Sequence, residues 1–263
     1  MNTPPLHSNP SSVIGFEVPA RLLSQDLSEE PLPAVPGFAI ARPLGRGRNG
    51  AVYRAFRRNT HRPLALKVLS VPVPGGPAKA GDTIRAVVEL PLDHTATVHE
   101  CGGIDGRTYL VSQYIDGAPV LDYLASAARP IGLAERVRLL AKIGAAVAEV
   151  HARGLAHGAL HGGNVLVSVE GTPVLVDLGL GALVGNTPTQ KQDLAALAEL
   201  ARETLADAAG TKPFAACIAA LLSASPPDGA ADQLSAELRR WLERQGPRKR
   251  GLWARLKEAL RPG

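Results

Sequence analysis

Apolar and polar positions alternate in short runs from Gly37 to Leu69. FAIARPL, AVYRAF and PLALKVL read as strands, separated by turn chemistry that includes RRNTHRP. The stretch VPGGPAKAGD at 73–82 breaks the pattern with Gly and Pro, and a short helix is predicted over 83–91. TATVHECG and RTYLVSQYI then form a predicted hairpin across GIDG. After Gly117 the period lengthens. LDYLASAA predicts a short helix. GLAERVRLLAKIGAAVAEVHARG predicts a long one, with Val137, Leu140, Ile143, Val147 and Val150 on one face. NVLVSV and PVLVDL are two short strands around an EGT turn, and helices follow at 190–207, 212–223 and 231–244. A β-rich front thus precedes a helical back, with no internal repeat. Residues 1–35, rich in Pro and Ser and without periodicity, read as a mostly disordered arm.

Composition changes this picture at one end only. The 263 residues are 45% hydrophobic, enough for one large domain or two small lobes. The net charge is +5, and residues 246–263 hold six basic residues and one acidic one, so the first 245 residues are neutral. The basicity belongs to a tail, and a nucleic-acid-binding body is not expected. In that tail Leu252, Trp253, Leu256, Ala259 and Leu260 share a helical face, with Arg255, Lys257, Glu258 and Arg261 on the remainder. Such a helix suits an anionic membrane surface, a partner's groove, or the domain's own helices. Cys101 and Cys217 match no metal-ligand spacing and read as reduced thiols of a cytoplasmic protein. No apolar run is long enough for a membrane-spanning helix, and the N-terminus lacks the charge-then-apolar pattern of a secretory leader.

Four short motifs carry candidate chemistry. GRGRNGAV places Gly45, Gly47 and Gly50 in a turn followed by an alternating run, so the glycines sit between strands rather than before a helix. Such a flap lays backbone N–H groups over phosphates, although an ordinary glycine-rich hairpin has the same pattern. Lys67 lies within the apolar run ALKV on the next strand, where an ammonium reaches phosphates as a point charge. His157 and Asn164 stand seven apart in HGALHGGN, and Asp177 follows the apolar VLV. An Asn amide oxygen with one carboxylate suits Mg²⁺.

In this order and spacing the motifs make the region from Phe38 to Leu242 resemble the protein kinase family, in particular bacterial serine/threonine kinases. The resemblance implies an α+β, two-lobed fold: a small antiparallel β-rich N-lobe at 36–115, a reduced α-helical C-lobe at 116–245, and the tail at 246–263. It implies ATP held by Gly45, Arg46, Gly47, Gly50 and Val52 of the glycine-rich loop and by Ala65 and Lys67. Ser112 stands at the gatekeeper position, Gln113 to Ile115 form the hinge, and Leu166 closes the adenine sandwich with Val52 and Ala65. Asn164 and Asp177 are the implied Mg²⁺ ligands. His157 and Asp193 are structural, Asp193 as the helix carboxylate that accepts hydrogen bonds from the catalytic-loop backbone. The HGxLHxGN form is also similar to small-molecule kinases of the aminoglycoside phosphotransferase type, but the glycine loop favours protein kinases.

The departures from the family pattern concern catalysis. The catalytic Asp maps to Ala159, the Arg before it to Gly158, and the Lys after the Leu to His161. Leu178 replaces Phe in DFG, and only 15 residues separate Asp177 from Asp193, with no APE motif between them. The helix Glu that pairs with the strand Lys aligns near Arg85, with Asp82 and Glu89 as displaced substitutes. Loss of a general base removes about 10²–10⁴ in rate. His161 is the residual candidate base, because imidazole titrates near neutrality. The expectation is a pseudokinase: a cytoplasmic ATP/Mg²⁺-binding scaffold or regulator with an unidentified protein partner. The alternatives are a weak or atypical serine/threonine phosphotransferase and a nucleotide-independent interaction module.

Overall fold

The computed structural model describes residues 31–88, 92–126, 130–205 and 211–245. The tail helix predicted within 246–263 and most of the 1–35 arm lie outside the described residues, as does Glu89. The arm's last residue, Val35, is only 2% exposed and packs into the sheet core beside Phe38, so the packed domain begins at or before Val35.

Five antiparallel strands build the first lobe: β1 (Phe38–Gly47), β2 (Gly50–Arg57), β3 (Pro63–Leu69), β4 (Val98–Ile104) and β5 (Arg107–Gln113), in the order β1-β2-β3-β5-β4. Alternation decides what each face carries. Leu64, Leu66 and Val68 of β3 are buried with Tyr53, Ala55 and Val111, which turns Ala65 and Lys67 to the opposite face. The β4–β5 turn falls at Asp105 and Gly106, both at positive φ (47° and 74°), as a tight primed hairpin turn requires.

The helix expected at 83–91 is α1 (Gly76–Val88), which starts inside the stretch read as a Gly/Pro-rich break. Pro77 lies in the first helical turn, where its missing N–H has no partner to lose, and Ala78, Lys79 and Ala80 are good helix formers. Among its described side chains Ala80 and Ile84 are buried.

The second lobe holds a small sheet and a helical core. β6 (Gly117–Pro119), β7 (Val165–Ser168) and β8 (Pro173–Leu175) pair in that order; β6, only three residues long, was not expected. α2 (Val120–Ser126) precedes α3 (Leu133–Ala152), whose predicted face of Val137, Leu140, Ile143, Val147 and Val150 is at most 1% exposed. α4 (Leu180–Leu183), α5 (Gln190–Leu205), α6 (Ala215–Leu221) and α7 (Ala230–Gln245) follow. The helix expected at 212–223 is a 3-10 turn at Lys212–Phe214 followed by α6. α7 packs closely on α3: a Cβ on Gly144 would meet the Ala231 carbonyl at 3.3 Å, and the buried Ser235 hydroxyl donates to Ala141 O at 2.8 Å. A third cluster joins the lobes, with Leu69, Ala80, Ile84, Val98 and Leu110 from the first packed on Leu180 and Leu183 of α4. Among the described residues no helix is long and apolar enough to cross a membrane.

Candidate functional site

The cleft between the lobes collects most of the residues singled out by sequence. Val52 is the register partner of Lys67, and Ala65 that of Ser112, so strands β2, β3 and β5 bring all four together. Val52, Ala65 and Lys67 are half-buried on the face turned away from the N-lobe core, and Leu166 is half-buried between the core residues Val165 and Val167. The Gln113 N–H is committed to Thr97 O at 2.8 Å, while among the described residues no such strand bond is made at the hinge positions Tyr114 and Ile115. Gly47 pairs with Gly50 across the β1–β2 turn, so Arg48 and Asn49 form its tip, while Arg46 is exposed on β1 beside it. Gly50 has φ +148°, and a Cβ there would lie 2.1 Å from Val68 O, so only Gly fits. A Cβ at Gly45 or Gly47 would meet nothing within 4 Å, so packing does not demand Gly at either position.

The catalytic loop hangs on Asp193. Its carboxylate, 1% exposed at the start of α5, accepts from His157 N at 2.6 Å and Gly158 N at 2.9 Å, and lies 3.0 Å from His151 Nε2. Burial pushes the Asp193 pKa up, but the hydrogen bonds from His151 and from the Gly158 and His157 backbone outweigh it and hold the carboxyl below its usual range. His157 is fully buried and its Nδ1 accepts from Ala159 N at 3.3 Å. Burial holds its pKa below the usual histidine range, against the pull of Asp193 and Asp177. Asn164 Nδ2 donates to Ala159 O at 2.8 Å and Val176 N donates to Asn164 O at 3.0 Å, which ties the loop to the strand leading into Asp177.

Three features were not legible in the sequence. First, Lys67 Nζ forms an ion pair with Asp177 Oδ2, both side chains largely buried. Across the described part of α1 the acidic residue is Asp82, which is exposed, and the Arg85 side chain lies outside the described atoms. Second, Asp177 sits at φ 64°, a left-handed conformation uncommon for non-Gly residues, though Asp tolerates it better than most. Third, the segment after Asp177 folds back onto the catalytic loop. Gly158 has φ +75°, and a Cβ there would meet the Pro188 Cβ at 2.5 Å. A Cβ on Gly181 would lie 2.8 Å from Gly158 O. Gly158 therefore has room for no side chain, and the Arg of the family pattern does not fit in this arrangement.

Ala159 offers no proton acceptor. His161 caps the 3-10 turn Gly162–Asn164, with Nδ1 accepting from Gly163 N at 3.1 Å. In the neutral ring that bond places the proton on Nε2, so His161 presents a donor and not a base. Burial lowers its pKa, as do the Lys67 and Arg48 charges, while Asp177 opposes them. His161 thus feels the charges of Asp177, Lys67 and Arg48 together. Asp177 and Asn164 are oxygen donors suited to Mg²⁺ when phosphate oxygens complete its shell, but the ion would have to compete with Lys67 for the carboxylate. Among the described residues no group of three His, Cys, Asp or Glu side chains is placed to hold a metal.

A separate groove of about 710 Å³ lies between α3, α5 and the start of α7, lined by Ala148, His151, Gln190, Leu194, Pro226 and Ala231, and shares none of the cleft residues.

Comparison with known proteins agrees with this geometry. The protein kinase domain model matches residues 38–216. The serine/threonine-protein kinase PknE of Mycobacterium tuberculosis is 29% identical over 148 residues, 55% of this chain and 26% of the relative. PknD of the same species is 30% identical over 152 residues, covering 54% and 22%. PknJ is 31% identical over 179 residues, covering 65% and 30%. The match spans under a third of the length of each of these relatives.

Proposed function

Because this chain belongs to the protein kinase family, we propose that it is a nucleotide-binding member with impaired phosphoryl transfer, and that it acts as a scaffold or regulator. The observation that carries this reading is the seating of Gly181 and Pro188 on Gly158, directly beside Ala159. Two requirements of transfer to a protein hydroxyl are compromised at one place. The base that would orient the acceptor and take its proton is an alanine, and its loss removes about 10²–10⁴ in rate. The segment that would form the acceptor platform is short and packed on the catalytic loop. His161 does not substitute, because its free nitrogen carries the proton.

The nucleotide-facing elements are retained: the glycine turn, Lys67, Asn164 and Asp177. ATP, with Mg²⁺ shared between its phosphates and Asp177 and Asn164, is the ligand this reading takes from the family. A cytoplasmic location, a protein partner and a peripheral membrane role for the basic tail belong to the same proposal, and no nucleic-acid partner is expected.

The test has two arms. Thermal unfolding with ATP is expected to shift upward in wild type and not in Lys67→Ala; a ligand at 100 times its Kd adds about 2.7 kcal/mol. Radiolabelled phosphate transfer to generic protein substrates is expected to equal that of Lys67→Ala. Transfer that Lys67→Ala and Asp177→Ala both abolish would establish an active serine/threonine kinase instead. No thermal shift at millimolar ATP would favour a nucleotide-independent interaction module.

A further inference from the structure

The groove between α3, α5 and the start of α7 takes no part in the cleft. Its volume is about 710 Å³, and its walls are mostly small or rigid apolar residues: Ala145, Ala148 and Ala152 of α3, Leu194 of α5, and Pro226 and Pro227 ahead of α7. We propose that it seats residues 252–260 of this same chain, as a helix that returns along α7 and lays its apolar face between α3 and α5.

Three observations choose this occupant. The first is shape. Walls of alanine and proline leave a hollow they cannot fill themselves, so the side chains that fill it come from another segment. Leu252, Leu256 and Leu260 recur at a spacing of four, with Trp253 on the same helical face, and supply the large apolar groups such a groove accepts. The second is charge. Glu149, Asp228 and Asp232 rim the groove. Glu149 has Arg153 at 3.6 Å, whereas Asp228 and Asp232 are exposed and make no ion pair among the described residues. Lys191, on the same rim, turns its Nζ to Ala224 O at 2.9 Å. An acidic rim thus meets a segment in which residues 246–263 carry six basic side chains and one acidic one. The third is reach. α7 ends at Gln245, and its first residues, Ala230 and Ala231, line the groove about 22 Å away at the helical rise. GPRKRG at 246–251 spans up to about 20 Å when extended, and the nine residues after it add about 13 Å as a helix. Gly246 and Pro247 are residue types that stop a helix, which puts a reversal where the path needs one.

The seat lies behind the catalytic loop. His151 and Gln190 also line the groove. His151 Nε2 stands 3.0 Å from Asp193 Oδ2, and Gln190 Nε2 donates to His151 O at 2.9 Å and to Leu155 O at 3.1 Å. A docked segment shields these bonds from water, so its release loosens residues 155–160 as well. The docked face is the one a membrane would take, so anionic vesicles compete with the groove. The docking does not depend on a nucleotide in the cleft.

The experiment is hydrogen exchange read by mass spectrometry on the full chain: wild type, Trp253→Ser with Leu256→Ser, Ala152→Arg and Asp228→Lys. Ala152 and Asp228 are exposed, so their variants are expected to fold, with exchange in β1–β3 unchanged. Peptides covering 252–260 are expected to exchange at least about tenfold more slowly in wild type than in the Ser double variant and Ala152→Arg, and Asp228→Lys is expected to fall between. Peptides covering 155–160 are expected to speed up in the same variants. Fast exchange of 252–260 in wild type, or slow exchange that survives both Ala152→Arg and Asp228→Lys, overturns the docking. So does protection that grows with protein concentration, which would assign the groove to a second copy's segment. Protection that appears only with phosphatidylserine vesicles overturns it too and gives the segment to the membrane.

Discussion

Asp193→Asn removes one charge at nearly constant shape and tests whether the catalytic loop depends on that carboxylate. Asp193 receives three donors: His157 N at 2.6 Å, Gly158 N at 2.9 Å and His151 Nε2 at 3.0 Å. An amide has one acceptor oxygen. In its best orientation that oxygen replaces Oδ2 and keeps His157 N and His151, while its NH₂ faces the Gly158 N–H. One charged hydrogen bond, worth about 1.5–3 kcal/mol, is lost outright, and its part-buried donor is left without that partner. The two that remain become neutral and about half as strong. The sum is a destabilisation of about 3–5 kcal/mol, a large share of the 5–15 kcal/mol typical of a domain. Urea unfolding followed by circular dichroism measures it, with the denaturant slope checked for constancy. The effect must also depend on pH. The folded pKa of Asp193 is below its unfolded value, so its stabilisation is complete above the unfolded pKa and lost as pH falls through the folded one. The gap between wild type and variant should therefore shrink below about pH 4. A difference under about 1 kcal/mol at pH 7, or one that does not shrink in acid, refutes the account.

Three further outcomes follow from the same geometry. Ala159→Asp should not restore phosphate transfer, because Gly181 and Pro188 remain packed at Gly158; a gain of a hundredfold or more in a transfer assay, about what a general base contributes, would refute this. Gly158→Arg should destabilise by at least about 2 kcal/mol, since it forces a side chain into a φ of +75° and against Pro188, and an unchanged midpoint in thermal unfolding would count against it. His157 has a folded pKa below its unfolded one, so its contribution holds above about pH 6.5 and declines as pH falls below that value; His157→Gln should flatten the wild-type loss of stability between about pH 6.5 and 5, and parallel profiles would place the titration elsewhere.

How much of this was legible depended on how local each signal is. The glycine turn, Lys67 on its strand and the helix face of Val137, Leu140, Ile143, Val147 and Val150 follow from short-range periodicity and turn chemistry, and the structure places each in the expected element. Asp193 was found through the family resemblance, as the helix carboxylate in QKQDLAALAEL. The start of α1 was missed because PGGP reads as a breaker, although a Pro in the first turn is tolerated. α4 was missed for a similar reason: GLGALVGN reads as loop, and the burial of Leu180 and Leu183 becomes visible only once α1 packs over them. The Lys67–Asp177 pair joins residues 110 apart, beyond any periodic signal. The engagement of His161 Nδ1 is a local cap, legible in principle from the glycines that follow it.

The losses at this site are not independent of one another. With 15 residues between Asp177 and Asp193, the chain must pass from the cleft to the head of α5 by a short route. It does so through α4, whose Leu180 and Leu183 fill the space under α1 and are at most 3% exposed. That packing is apolar and close, and each fully buried leucine is worth about 1.5–3 kcal/mol, so the segment does not swing out at small cost. The same short route brings Gly181 and Pro188 onto Gly158, which leaves that position room only for glycine. It also keeps Asp177, in its left-handed conformation, against Lys67. A carboxylate restored at residue 159 would thus enter a site where Gly181 and Pro188 stand against the neighbouring Gly158 and where Lys67 is already paired with Asp177. If transfer is impaired as proposed, restoring it requires a longer segment first and a base second, so single substitutions in the catalytic loop should report on stability before they report on activity.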